Sequence, residues 1–161
     1  MPEQFDPLSE SGKARWLVPC QNFFTAVNSL VVCMFTVIAF TVEPSQYARH
    51  LNALTGMRFD TDTLLRSGER TWNLQRAFNA REGFGRKDDR LPHRLTAEPL
   101  PNGPDKGSVV RLERMLDEYY EIRGWDKTTG WPTKEKLSAL GLGHVAKDLE
   151  KAGPPARQAA A

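Results

Sequence analysis

Residues 16–42 read WLVPCQNFFTAVNSLVVCMFTVIAFTV. No charged side chain occurs between Arg15 and Glu43, although 26% of the chain is charged. Such a gap fits a membrane span, a central core helix or the dry wall of a cofactor site, and each gives Cys33 a different role. A span needs roughly 20 predominantly apolar residues, and Phe23–Val42 meets that length. Its composition argues against one: Gln21, Asn22, Thr25, Asn28, Ser29, Thr36 and Thr41 are a heavy polar load for a lone span. The stretch therefore reads as a buried element, with no membrane partner. Val27, Val31, Val32, Thr36, Val37 and Ile38 are β-branched, so propensity does not separate helix from strand. Length favours a helix, because strands rarely exceed about ten residues. A helix apolar on nearly every face belongs in the middle of a larger structure.

Outward from this run, local signals mark further helices. Pro44 and Ser45 open one that runs from Gln46 to Leu54 and stops at Gly56. Asp60 or Thr61 caps the next, through Leu64, Leu65, Trp72 and Phe78 to Gly83. Gly68 inside it costs about 1 kcal/mol against Ala, which points to a close helix contact. Gly83 to Gly107 holds Pro92, Pro99, Pro101 and Pro104 and reads as a long irregular connection. Leu112, Met115, Leu116, Tyr119 and Ile122 keep helical spacing up to Gly124. Thr133 caps a short helix stopped by Gly141, and His144–Lys151 forms a last amphipathic piece. The fold class is all-α: an irregular helical domain over residues 1–152 with one long loop, followed by a disordered tail at 153–161.

Bulk properties exclude several classes. With 22 basic and 20 acidic residues the net charge is +2, and no basic run supports a nucleic-acid partner. Cys20 and Cys33 stand thirteen apart, which is neither a disulfide framework nor a CxxC metal site. The first residues make a poor signal peptide, so a cytoplasmic location is expected. His50, His93 and His144 are too dispersed for a metal site. Asp88-Asp89, set among Arg81, Arg86, Arg90 and Arg94, reads as an ion-pair network rather than a divalent-metal pair. Tyr119-Tyr120 and Trp125 read as core. Cys33, taken alone, reads as a small buried hydrophobe.

Four strings change the reading of Cys33. DPLSESGKARW (Asp6–Trp16), QNFFTAVNSLVVCMF (Gln21–Phe35), SGERTWNLQRAFNAREGFGRKDDRLPHR (Ser67–Arg94) and YYEIRGWDKTTGWPTKEKLSALGL (Tyr119–Leu142) occur in that order. Together they resemble the C-terminal region of tungsten-containing aldehyde:ferredoxin oxidoreductases, over most of the chain. The resemblance implies a helical domain of an enzyme that oxidises aldehydes to carboxylic acids. It implies a tungsten or molybdenum atom held by two pterins, and a [4Fe-4S] cluster that passes electrons to ferredoxin. The family motif Asp-x-x-Gly-Leu-Cys falls on Asn28-Ser29-Leu30-Val31-Val32-Cys33. By that resemblance Cys33 is the candidate cluster ligand, and Asn28 and Val32 are the candidate cofactor-binding positions. Asn28 replaces the aspartate, keeping an acceptor oxygen without the charge, and Val31 replaces the glycine. The family's CxxCxxxC string, its β-domain and its acid–base residues are not in this sequence. The chain is expected to work only with a large N-terminal part as partner, as a subunit or fragment without catalytic residues or aldehyde oxidation activity of its own. The alternative is a non-catalytic helical scaffold, a remnant of that domain.

Overall fold

The computed structural model describes residues 6 and 8–153; the tail expected to be disordered lies, from residue 154 on, outside the described residues. The described residues form eight α-helices: α1 (Lys13–Ser29), α2 (Phe35–Ile38), α3 (Pro44–Thr55), α4 (Thr61–Arg81), α5 (His93–Ala97), α6 (Leu112–Arg123), α7 (Lys134–Ala139) and α8 (Gly143–Ala152). A 3-10 turn covers Arg86–Asp88, and the one β feature among them is an isolated bridge between Trp125 and Pro132. The all-α expectation holds. No helix among the described residues is long and apolar enough to cross a membrane.

The uncharged run is not one helix. It divides at Leu30, with α1 before and the single turn of α2 after. The cause is local. Thr25 Oγ1 donates to the Gln21 carbonyl at 2.6 Å and Ser29 Oγ to the Thr25 carbonyl at 2.8 Å, a back-bonding that loosens a helix. Leu30 N–H then donates to both Ala26 and Val27 carbonyls, tightening the last turn towards 3-10 geometry. Val31 follows in the left-handed region at φ 57°, which a helix does not propagate through. The chain folds back so that Leu30, Val32, Met34, Val37 and Val42 pack on a core of Ala26, Val27, Tyr47, Ala48 and Leu64.

α4 organises the rest. Asp60 caps it, its carboxylate accepting from the Thr63 N–H at 2.7 Å. Its N-terminal half supplies Leu64 to the first core cluster. Its C-terminal half supplies Ala77 and Ala80 to a second one, with Leu137, Leu140, Leu142, Ala146 and Leu149 from α7, α8 and their junction. Between the clusters α4 crosses α1 at Gly68. A Cβ there would lie 1.8 Å from the Asn22 carbonyl oxygen and 3.0 Å from Ala26 N. The two backbones touch, which is the close contact that a glycine inside a helix pattern implied.

α6 docks on the same stretch of α1 through Arg123, which is 0% exposed. Its Nη1 donates to Asn22 Oδ1 and its Nη2 to Gln21 Oε1, both at 2.6 Å, while Nε donates to Tyr119 Oη at 3.1 Å. The guanidinium lies 5.3 Å from the centre of the Trp72 ring. Burial holds its pKa below the ordinary arginine range. Tyr120 and Trp125 are buried, as the core reading of these aromatics required.

The long connection after α4 is tied down by ions and backbone bonds. Arg76 pairs with Asp89 through two hydrogen bonds, one of 2.9 Å, and donates from Nε to the Gly130 carbonyl at 2.8 Å. The ion-pair reading of Asp88-Asp89 thus holds for Asp89, but its partner is Arg76 on α4, 13 residues upstream. Asp88 instead accepts from the Gly85 N–H. Arg81 pairs with Glu82, and Arg86 with Glu113 and Asp117.

Two outcomes follow. Gly68→Ala places a methyl group where a carbonyl oxygen already sits, so unfolding in urea should show a loss of about 3 kcal/mol; a neutral substitution would mean the helices do not touch there. Asp126 accepts from Thr129 N–H and Oγ1 at 2.7 and 2.8 Å, and these bonds hold its carboxyl below the ordinary 3.8. A depressed folded-state pKa stabilises above the unfolded value, and that contribution disappears as pH falls through the folded one. Asp126→Ala should therefore cost about 1 kcal/mol near neutral pH. In thermal unfolding, its difference from the parent chain should close below pH 3.8.

Candidate functional site

The turn from α1 to α2 gathers the residues of the Asn28–Cys33 motif. Asn28 lies in the last turn of α1, exposed, and its side-chain amide has no partner among the described residues. Val31 points outward, 93% exposed, and Val32 packs inward against the first core cluster. Cys33 is exposed as a free thiol. The buried-hydrophobe reading of Cys33 is therefore wrong: the run that contains it turns over at this point, and the thiol falls on the outer side.

The turn is exposed but held in place. The Cys33 carbonyl accepts from Thr36 N–H at 3.0 Å and from Thr36 Oγ1 at 2.7 Å. Thr36 has given its only hydroxyl proton to Cys33, so Tyr47 Oη must be the donor in its short contact with Thr36 Oγ1. Tyr47 is buried in the first core cluster. A hydroxyl relay thus fixes the backbone beside the cysteine to the core. The backbone N–H groups of Val32, Cys33 and Met34 have no acceptor among the described residues. They follow a left-handed residue, a sequence of backbone conformations that can aim consecutive N–H groups at an electron-rich ligand.

The donor set is one thiol. Among the described residues there is no group of three or more His, Cys, Asp or Glu side chains able to hold a metal ion. His50, His93 and His144 are all exposed and separate, as their spacing implied. Cys20 lies on α1, exposed. Cys33 therefore fits a cluster or metal as one contributed ligand and no more. Around it stands an apolar surface that sequence reasoning assigned to a core: Phe35 is 67% exposed, Phe40 72%, and Ile38 is also exposed. The signal missed was the left-handed break at Val31, which no glycine or proline announces.

The described residues thus form a helical domain that presents the Cys33 thiol from a core-anchored turn. The model of the family described as aldehyde ferredoxin oxidoreductase, domains 2 and 3, matches residues 1–142. The tungsten-containing aldehyde ferredoxin oxidoreductases of Pyrococcus horikoshii and Pyrococcus furiosus are each 41% identical over 143 residues, 88% of this chain. That of Thermococcus kodakarensis is 39% identical over the same length. Among solved structures, the active-site complex BamBC of benzoyl coenzyme A reductase with 1,5-dienoyl-CoA matches with a TM-score of 0.58 and 31% identity. That match covers 71% of this chain and 16% of the other. This chain belongs to the aldehyde ferredoxin oxidoreductase family and corresponds to its C-terminal helical region. It spans 23% of the length of the curated relatives.

The left-handed valine gives a direct test. A non-glycine residue there costs roughly 1–2 kcal/mol, and a glycine would return about 0.4–1 kcal/mol of that through the unfolded chain. Val31 is too exposed to lose packing on replacement. Val31→Gly should therefore stabilise the chain by roughly 0.5–1 kcal/mol in urea titration, and a destabilised variant would show the turn to be unstrained.

Proposed function

We propose that this chain is the C-terminal helical part of a tungsten- or molybdenum-pterin aldehyde:ferredoxin oxidoreductase-type enzyme. In it Cys33 supplies one thiolate ligand to a [4Fe-4S] cluster. The observation that carries this reading is the exposed Cys33 thiol on a turn tied to the core through Thr36 and Tyr47. The resemblance of Asn28–Cys33 to the family's cofactor motif, which ends in a cysteine, supports the same reading. When bound, the metal–pterin group supplies aldehyde oxidation to the carboxylic acid, and the cluster supplies one-electron transfer towards ferredoxin.

This chain's own residues hold, shield and orient. The thiolate of Cys33 binds iron. The N–H groups of Val32, Cys33 and Met34 would be available to a bound cluster as donors, and such hydrogen bonds to the sulfurs would raise its reduction potential by stabilising the more negative state. Asn28, at the aspartate position, offers an amide oxygen and an N–H₂ to the pterin edge. Phe35, Ile38 and Phe40 close the site against water once the rest of the enzyme, on this polypeptide or a companion one, covers them. That remainder would carry the other cluster ligands, the β-domain and the acid–base groups.

A second reading, a non-catalytic scaffold derived from this domain, is favoured by one observation. At the motif's glycine position the branched side chain of Val31 stands 93% exposed, where the family has no side chain. One experiment separates the two. The chain is assembled with the remaining domains of the family, and iron and tungsten are measured. The enzyme reading expects cluster iron in the assembly and its loss, with the cluster's electron paramagnetic signal, in Cys33→Ala. The fold should survive, because Cys33 is exposed. Full iron in the variant would overturn the ligand assignment, and no iron in either form would favour the scaffold. The 161-residue chain alone should turn over no aldehyde.

A further inference from the structure

A cleft lies under the other end of α1. It measures about 580 Å³ and opens between α1, α4 and α6, within the range of small-molecule pockets. It lies near Leu17, and Ser29 is twelve residues further along α1, about 18 Å at helical rise. The motif turn begins beyond that. Leu17, Met115 and Leu116 contribute apolar surface to its walls, and Trp72 and Tyr119 contribute aromatic surface.

The charges around the cleft are unequal in availability. Four carboxylates line it, and each is engaged. Glu10 pairs with Arg111, and Asp89 with Arg76. Glu118 accepts from the Gly12 N–H, and Asp88 from the Gly85 N–H. Arg90 also lines the cleft, and its guanidinium has no partner among the described residues. The Gln75 and Asn79 amides, on the α4 wall, are likewise without partners. The buried Arg123 sits against the Trp72 and Tyr119 rings. Its hydrogen-bond acceptors are all neutral, which leaves a positive charge close to the aromatic surface.

We propose that this cleft binds an amphipathic aromatic monocarboxylate, its ring against Trp72 and Tyr119 and its carboxylate on Arg90. Aromatic walls favour a planar body, and a free guanidinium is the side chain best shaped for a carboxylate. Lys13 and Arg76 also line the cleft, but Lys13 donates to the Asp6 carbonyl and Arg76 pairs with Asp89, so the unpartnered guanidinium of Arg90 suits a single carboxylate. The inference is independent of the Cys33 proposal, since it uses none of the motif residues.

Calorimetric titration of the full chain with 2-naphthoate and with its neutral amide, 2-naphthamide, tests it. The carboxylate should bind about tenfold tighter or more. Arg90→Gln, at an exposed residue whose guanidinium has no partner among the described residues, should remove that difference and leave the amide's affinity unchanged. Leu17→Glu, also at an exposed position, should weaken both probes, with an unchanged helical spectrum as the control for folding. Equal binding of the two probes, an Arg90→Gln chain that still prefers the carboxylate, a Leu17→Glu chain that binds both as before, or no binding at millimolar concentration would each overturn the proposal.

Discussion

The contact of α1 and α4 at Gly68 sets the geometry of everything else. Two helix backbones lie so close that a single methyl group has no room, and such an approach fixes the axial register of both helices. One segment of α1 then serves two neighbours. The Asn22 carbonyl lies against Gly68, while the Asn22 and Gln21 side chains hold the Arg123 guanidinium of α6. α6 cannot slide without breaking charged hydrogen bonds in a dry environment, where orphaned partners are costly. α4, pinned at its middle, reaches the first cluster with Leu64 and the second with Ala77 and Ala80.

This arrangement explains the polar residues that looked out of place in an uncharged run. Gln21 and Asn22 are acceptors for a buried cation, so they belong inside. Thr25 and Ser29 return their hydroxyls to the helix backbone, satisfying themselves while weakening the helix where it ends. The run lacks charge because two of its sides are covered, and it carries amides because one of those covers brings a charge of its own. A membrane span and this α1 can look alike by length, but they differ in what the amides are for.

Local punctuation was legible in the sequence. Pro44 and Gly56 bracket α3, Asp60 caps α4, Gly124 ends α6, and Thr133 caps α7. Each is a backbone requirement met by a residue type within a few positions. Gly68 was legible as a close contact, though not its partner. The ordered strings of the family likewise carried the identity of the domain. Long-range electrostatics was not legible: Asp89 has several arginines near it in sequence, yet its partner is Arg76 across the turn, chosen by the packing of Gly130 on α4. The break at Val31 was also hidden, because a left-handed valine has no compositional signature. Its exposure left the Cys33 neighbourhood open where hydrophobicity alone implied burial.

That left-handed valine bears on how the cysteine turn is held. Nothing local rewards it: its side chain touches almost nothing. The conformation is imposed from both sides, by the end of α1, fixed at Gly68, and by the relay from Tyr47 through Thr36 to the Cys33 carbonyl. Residues on either side, Leu30 and Val32, are drawn onto the core, and the residue between them takes whatever dihedral closes the path. Strain of this kind persists only where the surroundings over-determine it. Here the surroundings are the two features that also present the thiol outward and leave three backbone N–H groups beside it without acceptors among the described residues. Relaxing the turn would reward the isolated chain, and a sequence that keeps it strained keeps Cys33 in a fixed position on an apolar surface of Phe35, Ile38 and Phe40 that stands exposed among the described residues.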